Sequence, residues 1–193
     1  MNFDNFLIIL IIVVLFYHVY FNNYQLNRNL KVVKNNIFVQ NNENFNTSSE
    51  ILLKVFENML LLRNELYKNK HLHKDYETYI ENLYNNFNEN TLIKENYNES
   101  NYTSYTVNKG EEMVFCIRSR KNNNFHDLNL IMYVAIHELG HIACPEIGHT
   151  ALYNDIFAFL LEHAIELNIY KMDDYSINPQ EYCGMEVYSN ILT

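Results

Sequence analysis

His137, Glu138 and His141 stand in the spacing H-E-x-x-H within the stretch IMYVAIHELGHIACPEIGH, Ile131 to His149. Residues four apart lie on one face of a helix, so the two imidazoles can grip a single ion. Glu138 follows the first histidine and points toward the same cleft without being needed as a ligand. Two imidazoles suited to Zn²⁺, beside a carboxylate able to take a proton from water that the ion activates, are the working parts of a zinc hydrolase. His149, eight positions after His141, is the candidate third ligand.

The neighbouring residues predict how these side chains are held. VAI and LG flank the motif and carry no charge, and Ile142 and Ala143 follow it, as expected of a helix carrying ligands through a core. Asp127 is a suitable N-cap. Pro145 cannot continue the helix and pushes Cys144 out of the helical region, so the helix should stop near Ala143. Gly148 then permits a sharp turn that swings His149 back. A buried Glu138 without a partner would be costly, which argues against two incidental histidines in a structural helix.

Before the motif, TSYTV, Asn-Lys-Gly-Glu and MVFCIR read as a β-hairpin turning near Gly110. Its position suggests an edge strand against which an extended substrate lies. Thr47-Ser-Ser-Glu50 reads as a capping box that starts a helix with Ile51, Val55, Met59, Leu62 and Leu66 on one face. Apolar positions from Leu72 to Phe87 give a second amphipathic helix, with His71 and His73 between the two helices and expected in solvent. Thr150 to Asn168 gives another helix, and the acidic stretch after it reads as irregular, with turns at Asn178-Pro179 and Cys183-Gly184.

The chain has 193 residues, 48% of them hydrophobic, enough for one domain with a core plus a tail or anchor. Its net charge of −9 argues against a nucleic-acid partner. Cys116, Cys144 and Cys183 are odd in number, contain no C-x-x-C pair and do not read as a disulfide framework. Phe6 to Phe21 is a sixteen-residue apolar run, at the short limit of the about 17–25 residues that span a bilayer. Residues 1–24 are therefore expected to form an uncleaved single-pass membrane anchor, residues 25–46 a polar, Asn-rich tether, and residues 47–193 the working domain. Arg28, Lys31 and Lys34 after the apolar run place that domain on the cytoplasmic side by the positive-inside rule. The sequons at Asn46, Asn98 and Asn101 are expected by chance in so Asn-rich a chain.

The segment VAIHELGHIACPEIGHTALYNDIFAFLLEHA resembles the WLM and SprT-like zinc metallopeptidases, in which H-E-x-x-H is followed by a short loop, a third histidine and a helix bearing a Phe. SYTVNKGEEMVFCIR is similar to the strand pair of WLM-type domains. The resemblance covers about a third of the chain, Thr103 to Asn168. It implies an α+β, zincin-like fold with a small β-hairpin or sheet packed on helices, here preceded by the transmembrane helix. It also implies Zn²⁺ on His137, His141 and His149, and Glu138 as the catalytic residue. Glu162, with Glu166 one turn later, is the competing third ligand, as in thermolysin-like peptidases. The turn at Pro145 and Gly148 and the WLM resemblance both favour His149.

The expected activity is hydrolysis of a protein or peptide substrate, with Glu138 as general base. Tyr153, Tyr175, Tyr182 and His163 are candidate oxyanion donors. One alternative is a membrane-tethered interaction module with structural zinc, its fourth ligand Cys144 or Cys183. Another is a WLM/SprT-type protease acting on DNA–protein crosslinks.

Overall fold

The computed structural model describes residues 7–17, 30–34, 36–97, 100–188 and 191–192. A first helix, α1, covers residues 7–17. Then come β1 (Leu30–Lys34), β2 (Ile37–Gln40), α2 (Phe45–Lys68), α3 (Glu77–Asn86), β3 (Leu92–Glu95), β4 (Tyr105–Val107), β5 (Glu112–Phe115), α4 (Leu128–Ala143), α5 (Ala151–Glu166), β6 (Gln180–Tyr182) and β7 (Met185–Val187). The class is α+β, as the sequence implies.

The expected membrane anchor is corrected. Among the described residues, no helix is long and apolar enough to cross a membrane. The described part of helix α1 has eleven residues. At about 1.5 Å per residue it reaches roughly half of a hydrocarbon core of about 30 Å. Its apolar side chains, Leu7 to Tyr17, are exposed. A preceding transmembrane helix and the single-pass, cytoplasm-facing placement built on it are therefore not supported. The remainder of the expected anchor, residues 1–6 and 18–24, lies outside the described residues, as do Arg28 and the sequon residue Asn98.

Part of the expected tether is a pair of strands. IFVQ alternates buried and half-buried positions, and Ile37 and Val39 are fully buried. The main sheet runs β1-β2-β3-β5-β4. Its centre, β2-β3-β5, is parallel, and both flanks, β1 on β2 and β4 on β5, are antiparallel. Helices α2 and α3 form the crossover from β2 to β3 and pack on α4, the helix bearing His137 and His141, which also packs on α5. The sheet is thus five-stranded and mixed, larger than a hairpin on helices.

The start of α2 also differs from expectation. It begins at Phe45 behind Asn44, with no side-chain cap. Thr47 and Glu50, the two ends of the expected capping box, therefore lie inside the helix, and Ser48 Oγ lies in a buried cluster, accepting from Arg118 Nη2 (2.6 Å) and donating to Glu95 Oε1 (3.3 Å). Ser49 Oγ donates to the Phe45 carbonyl instead. Arg118 Nε donates to Glu95 Oε1 (3.2 Å), and Glu95 Oε2 accepts from the Gln40 amide (2.8 Å). This buried pair joins the ends of β2 and β3 to the start of α2. His73, expected in solvent, is half-buried, its ring 5.3 Å from that of Phe159 and 4.6 Å from that of His163.

The C-terminal stretch, expected to be irregular, forms a hairpin. Cys183 (φ 53°) and Gly184 (φ 87°) occupy its two-residue turn, both left-handed as such tight turns require. A disulfide joins Cys183 to Cys116, directly after β5, across 67 residues. This corrects the expectation of no disulfide framework. Tyr182 Oη and Ser104 Oγ share a hydrogen bond (2.7 Å), and His126 Nε2 accepts from the Cys183 amide (3.1 Å). Burial holds the His126 imidazole below its usual pKa, consistent with a neutral acceptor.

Candidate metal centre and cleft

Helix α4 starts where Asp127 Oδ1 accepts from the Asn129 amide (2.8 Å) and ends at Ala143, with Cys144 extended before Pro145. Within it, His137 and His141 project from one face as the four-residue spacing requires. The next helix, α5, is capped by Thr150, whose hydroxyl accepts from the Tyr153 amide (3.2 Å). The short link between the two helices returns His149 to the first two histidines.

His141 Nε2 lies 3.2 Å, and His149 Nε2 3.1 Å, from His137 Nε2. Among the described residues these three form the one group of His, Cys, Asp or Glu side chains able to hold a metal ion, with ligand atoms within 4.8 Å of one another. The donor set fits Zn²⁺. Bonds of about 2.0–2.1 Å at tetrahedral angles place ligand nitrogens about 3.3 Å apart. Burial, then repulsion from His141 and His149, holds the His137 imidazole down at about 3. Burial, then His149 and Lys109, holds His141 at about 4. At neutral pH both rings are therefore unprotonated, as ligation requires.

The four expected oxyanion donors separate. Tyr153 is buried and supports the centre from below: its hydroxyl donates to the His137 carbonyl (3.1 Å) and its ring stacks on His141 at 4.3 Å. Gly140 allows this approach, since a Cβ there would sit 3.1 Å from Tyr153 Cε2. Tyr182 lines the cleft but is hydrogen-bonded to Ser104. Tyr175 packs on Tyr133 away from the cleft wall, and His163 Nδ1 bonds the Phe159 carbonyl (2.8 Å).

Neither alternative third ligand joins the centre. Glu162 is exposed and lies near Tyr76, and Glu166 is exposed beside His163. The fourth ligands considered for a structural site are also elsewhere. Cys183 is in the disulfide, and Cys144 is a buried free thiol outside the histidine group.

Glu138 is buried next to the histidines, and Thr106 Oγ1 on β4 donates to its Oε2 (2.9 Å). Burial raises its pKa to about 7, against the opposing pull of the Thr106 bond. A carboxylate poised near neutrality is suited to moving a proton in both directions. Thr106 was not singled out from the sequence, because a lone threonine in a strand carries no local signal of a partner 32 residues away.

The centre opens into a cleft of about 850 Å³. One wall is β4, an edge strand contributing Tyr105 and Thr106. Another is the β6–β7 hairpin with Met185, Glu186 and Val187, and Val134 and Phe157 add apolar surface. Met185 is 59% exposed and stands at the wall of the cleft.

No family model matches the chain, and no solved structure matches it. Its similarities are to viral proteins. An uncharacterized protein of Invertebrate iridescent virus 6 is 37% identical over 82 residues, 42% of this chain and 44% of that protein. A second, from Invertebrate iridescent virus 3, is 35% identical over 82 residues, 42% of this chain and 50% of that protein. An uncharacterized protein of Acanthamoeba polyphaga mimivirus is 42% identical over 161 residues, 83% of this chain and 81% of that protein. On that extent of identity, the chain belongs to the same family as the mimivirus protein.

Proposed function

We propose that this protein is a zinc-dependent peptidase with Glu138 as general base. The observation that carries the reading is the convergence of three imidazole Nε2 atoms beside a buried carboxylate, at the floor of an open cleft. His137, His141 and His149 would hold the ion. Bound there, Zn²⁺ would supply a Lewis acid that polarises a carbonyl and lowers the pKa of water.

The chain's own residues do the rest. Glu138 takes a proton from the attacking water and delivers it to the leaving amine. Thr106 fixes the carboxylate by donating to Oε2, leaving Oε1 for the proton. β4 is an edge strand beside the cleft, which suits a substrate that lies as an added strand. Tyr153 holds the first ligand's backbone and the second ligand's ring in register. The resemblance to WLM and SprT-like peptidases points to the same chemistry.

A purely structural zinc site is less well supported. Such sites are closed by four protein ligands, and among the described residues three histidines gather, which leaves a position for water or substrate. The test is hydrolysis of casein by the zinc-loaded full chain beside Glu138→Gln. The variant keeps the volume of the side chain but cannot accept a proton. It should bind zinc like the wild type and lose on the order of 10² to 10⁴ in rate. Equal turnover by the two would refute the role of Glu138.

A further inference from the structure

We infer that Lys109 is a positioning residue for the third ligand, holding the loop that delivers His149 to the centre. The inference rests on the reading of His137, His141 and His149 as a metal site. His137 and His141 are fixed by the helix that bears them. His149 follows an exposed stretch, Pro145 to Gly148, in which Ile147 is 92% exposed and a Cβ at Gly148 would meet nothing within 4 Å. Apolar packing does not hold this loop, so its shape depends on polar ties.

Lys109 supplies such ties. Its Nζ donates to the carbonyl oxygens of His141 (2.8 Å), Cys144 (2.6 Å) and Glu146 (3.1 Å). Three carbonyls match the three hydrogens of an ammonium group. Two of them belong to the end of α4, where helix carbonyls lack amide partners and the dipole is negative. The third lies in the loop itself, three positions before His149. One cation therefore joins the helix end, its cap and the approach to the ligand.

The backbone at Lys109 points the same way. Its φ is 56°, between Asn108 at 47° and Gly110 at 118°, in the turn of the β4–β5 hairpin. This left-handed region favours Gly and Asn, and a long side chain held there is an outlier that the reach of its ammonium explains. The same hairpin presents Thr106 to Glu138. It thus grips both the general base and the loop of the third ligand.

The test is zinc affinity of the full chain, measured by competition with a chromogenic chelator, for wild type, Lys109→Asn, Lys109→Arg and His149→Ala. Asn tolerates the left-handed backbone, so Lys109→Asn removes the ammonium without adding strain. It should weaken zinc binding by on the order of 10- to 100-fold, as loss of a ligand's supporting partner does. Lys109→Arg, which keeps charge and donors, should recover most of the affinity. Lys109→Gln carries the same expectation as Lys109→Asn should the latter not fold. In the His149→Ala background, Lys109→Asn should cause no further loss, because Lys109 acts through His149. Unchanged zinc affinity with only a lower melting temperature would overturn the inference, leaving Lys109 as a helix cap. Equal weakening with and without His149 would overturn it too. A wild-type chain that binds no zinc would instead refute the metal reading, and the role of Lys109 with it.

Discussion

His137, Glu138 and His141 were legible in the sequence because their relation is local. A helix fixes what residues four apart share, and nothing beyond α4 is needed to place those two imidazoles together. His149 was legible for a second local reason: Pro145 ends the helix and Gly148 (φ 86°) reverses the chain. Thr106 and Lys109 were not legible, since their partners lie 32 to 37 residues away in sequence. The oxyanion candidates could not be separated either, because a tyrosine's role depends on what its hydroxyl meets. The competing ligand Glu162 gives a prediction at this scale. His149→Ala should lose most of its zinc and its activity, while Glu162→Ala, altering an exposed carboxylate, should bind zinc like the wild type. Zinc content after dialysis checks this, and the reverse pattern would assign the third ligand to α5.

Among the elements, α4, α5 and the β4–β5 hairpin follow their sequence signals closely, because cap, periodicity and turn residues agree. The start of α2 does not: the helix begins at Phe45, so the box from Thr47 to Glu50 falls inside it, and Ser48 is bound in the buried Glu95–Arg118 cluster. The strands β1 and β2 were hidden by the polar, Asn-rich composition around them. Only four residues, IFVQ, carry the pattern of β2, too few for periodicity to stand out. The Glu95–Arg118 pair is 1% and 4% exposed, so removing one partner leaves an uncompensated buried charge. Arg118→Met should therefore cost about 3–5 kcal/mol of stability. The double change Glu95→Leu with Arg118→Met should cost much less. Urea denaturation of the two variants measures the difference, and equal losses would show that the cluster does not act as an ion pair.

The whole molecule depends on contacts that no window of sequence contains. The order of the main sheet and the pairing of Cys116 with Cys183 bring together segments far apart in the chain. Three cysteines gave no pairing signal, since spacing alone does not reveal which two meet. The apolar run at the start differs from expectation at this scale, where length decides: among the described residues, no helix is long and apolar enough to cross a membrane. The disulfide ties the β6–β7 hairpin, one wall of the cleft, to the end of β5. Cys183→Ser should lower stability by about 2–5 kcal/mol, the loss typical of a native crosslink, here one closing a loop of 67 residues. It should also weaken substrate binding more than zinc binding, because the hairpin contributes Met185 and Val187 to the cleft but no ligand. Unchanged denaturant midpoints in oxidised wild type and variant would contradict this.

The claim that the centre uses one zinc ion to cleave peptide bonds is tested most directly by titration. The full chain is stripped with a chelator, zinc is returned in known amounts, and casein hydrolysis is followed at each step. The account predicts no hydrolysis without metal, a linear rise to a plateau at one equivalent of zinc per chain, and no rise for Glu138→Gln. Hydrolysis that survives chelation, or a zinc-loaded wild-type chain that cleaves no faster than Glu138→Gln, would contradict it.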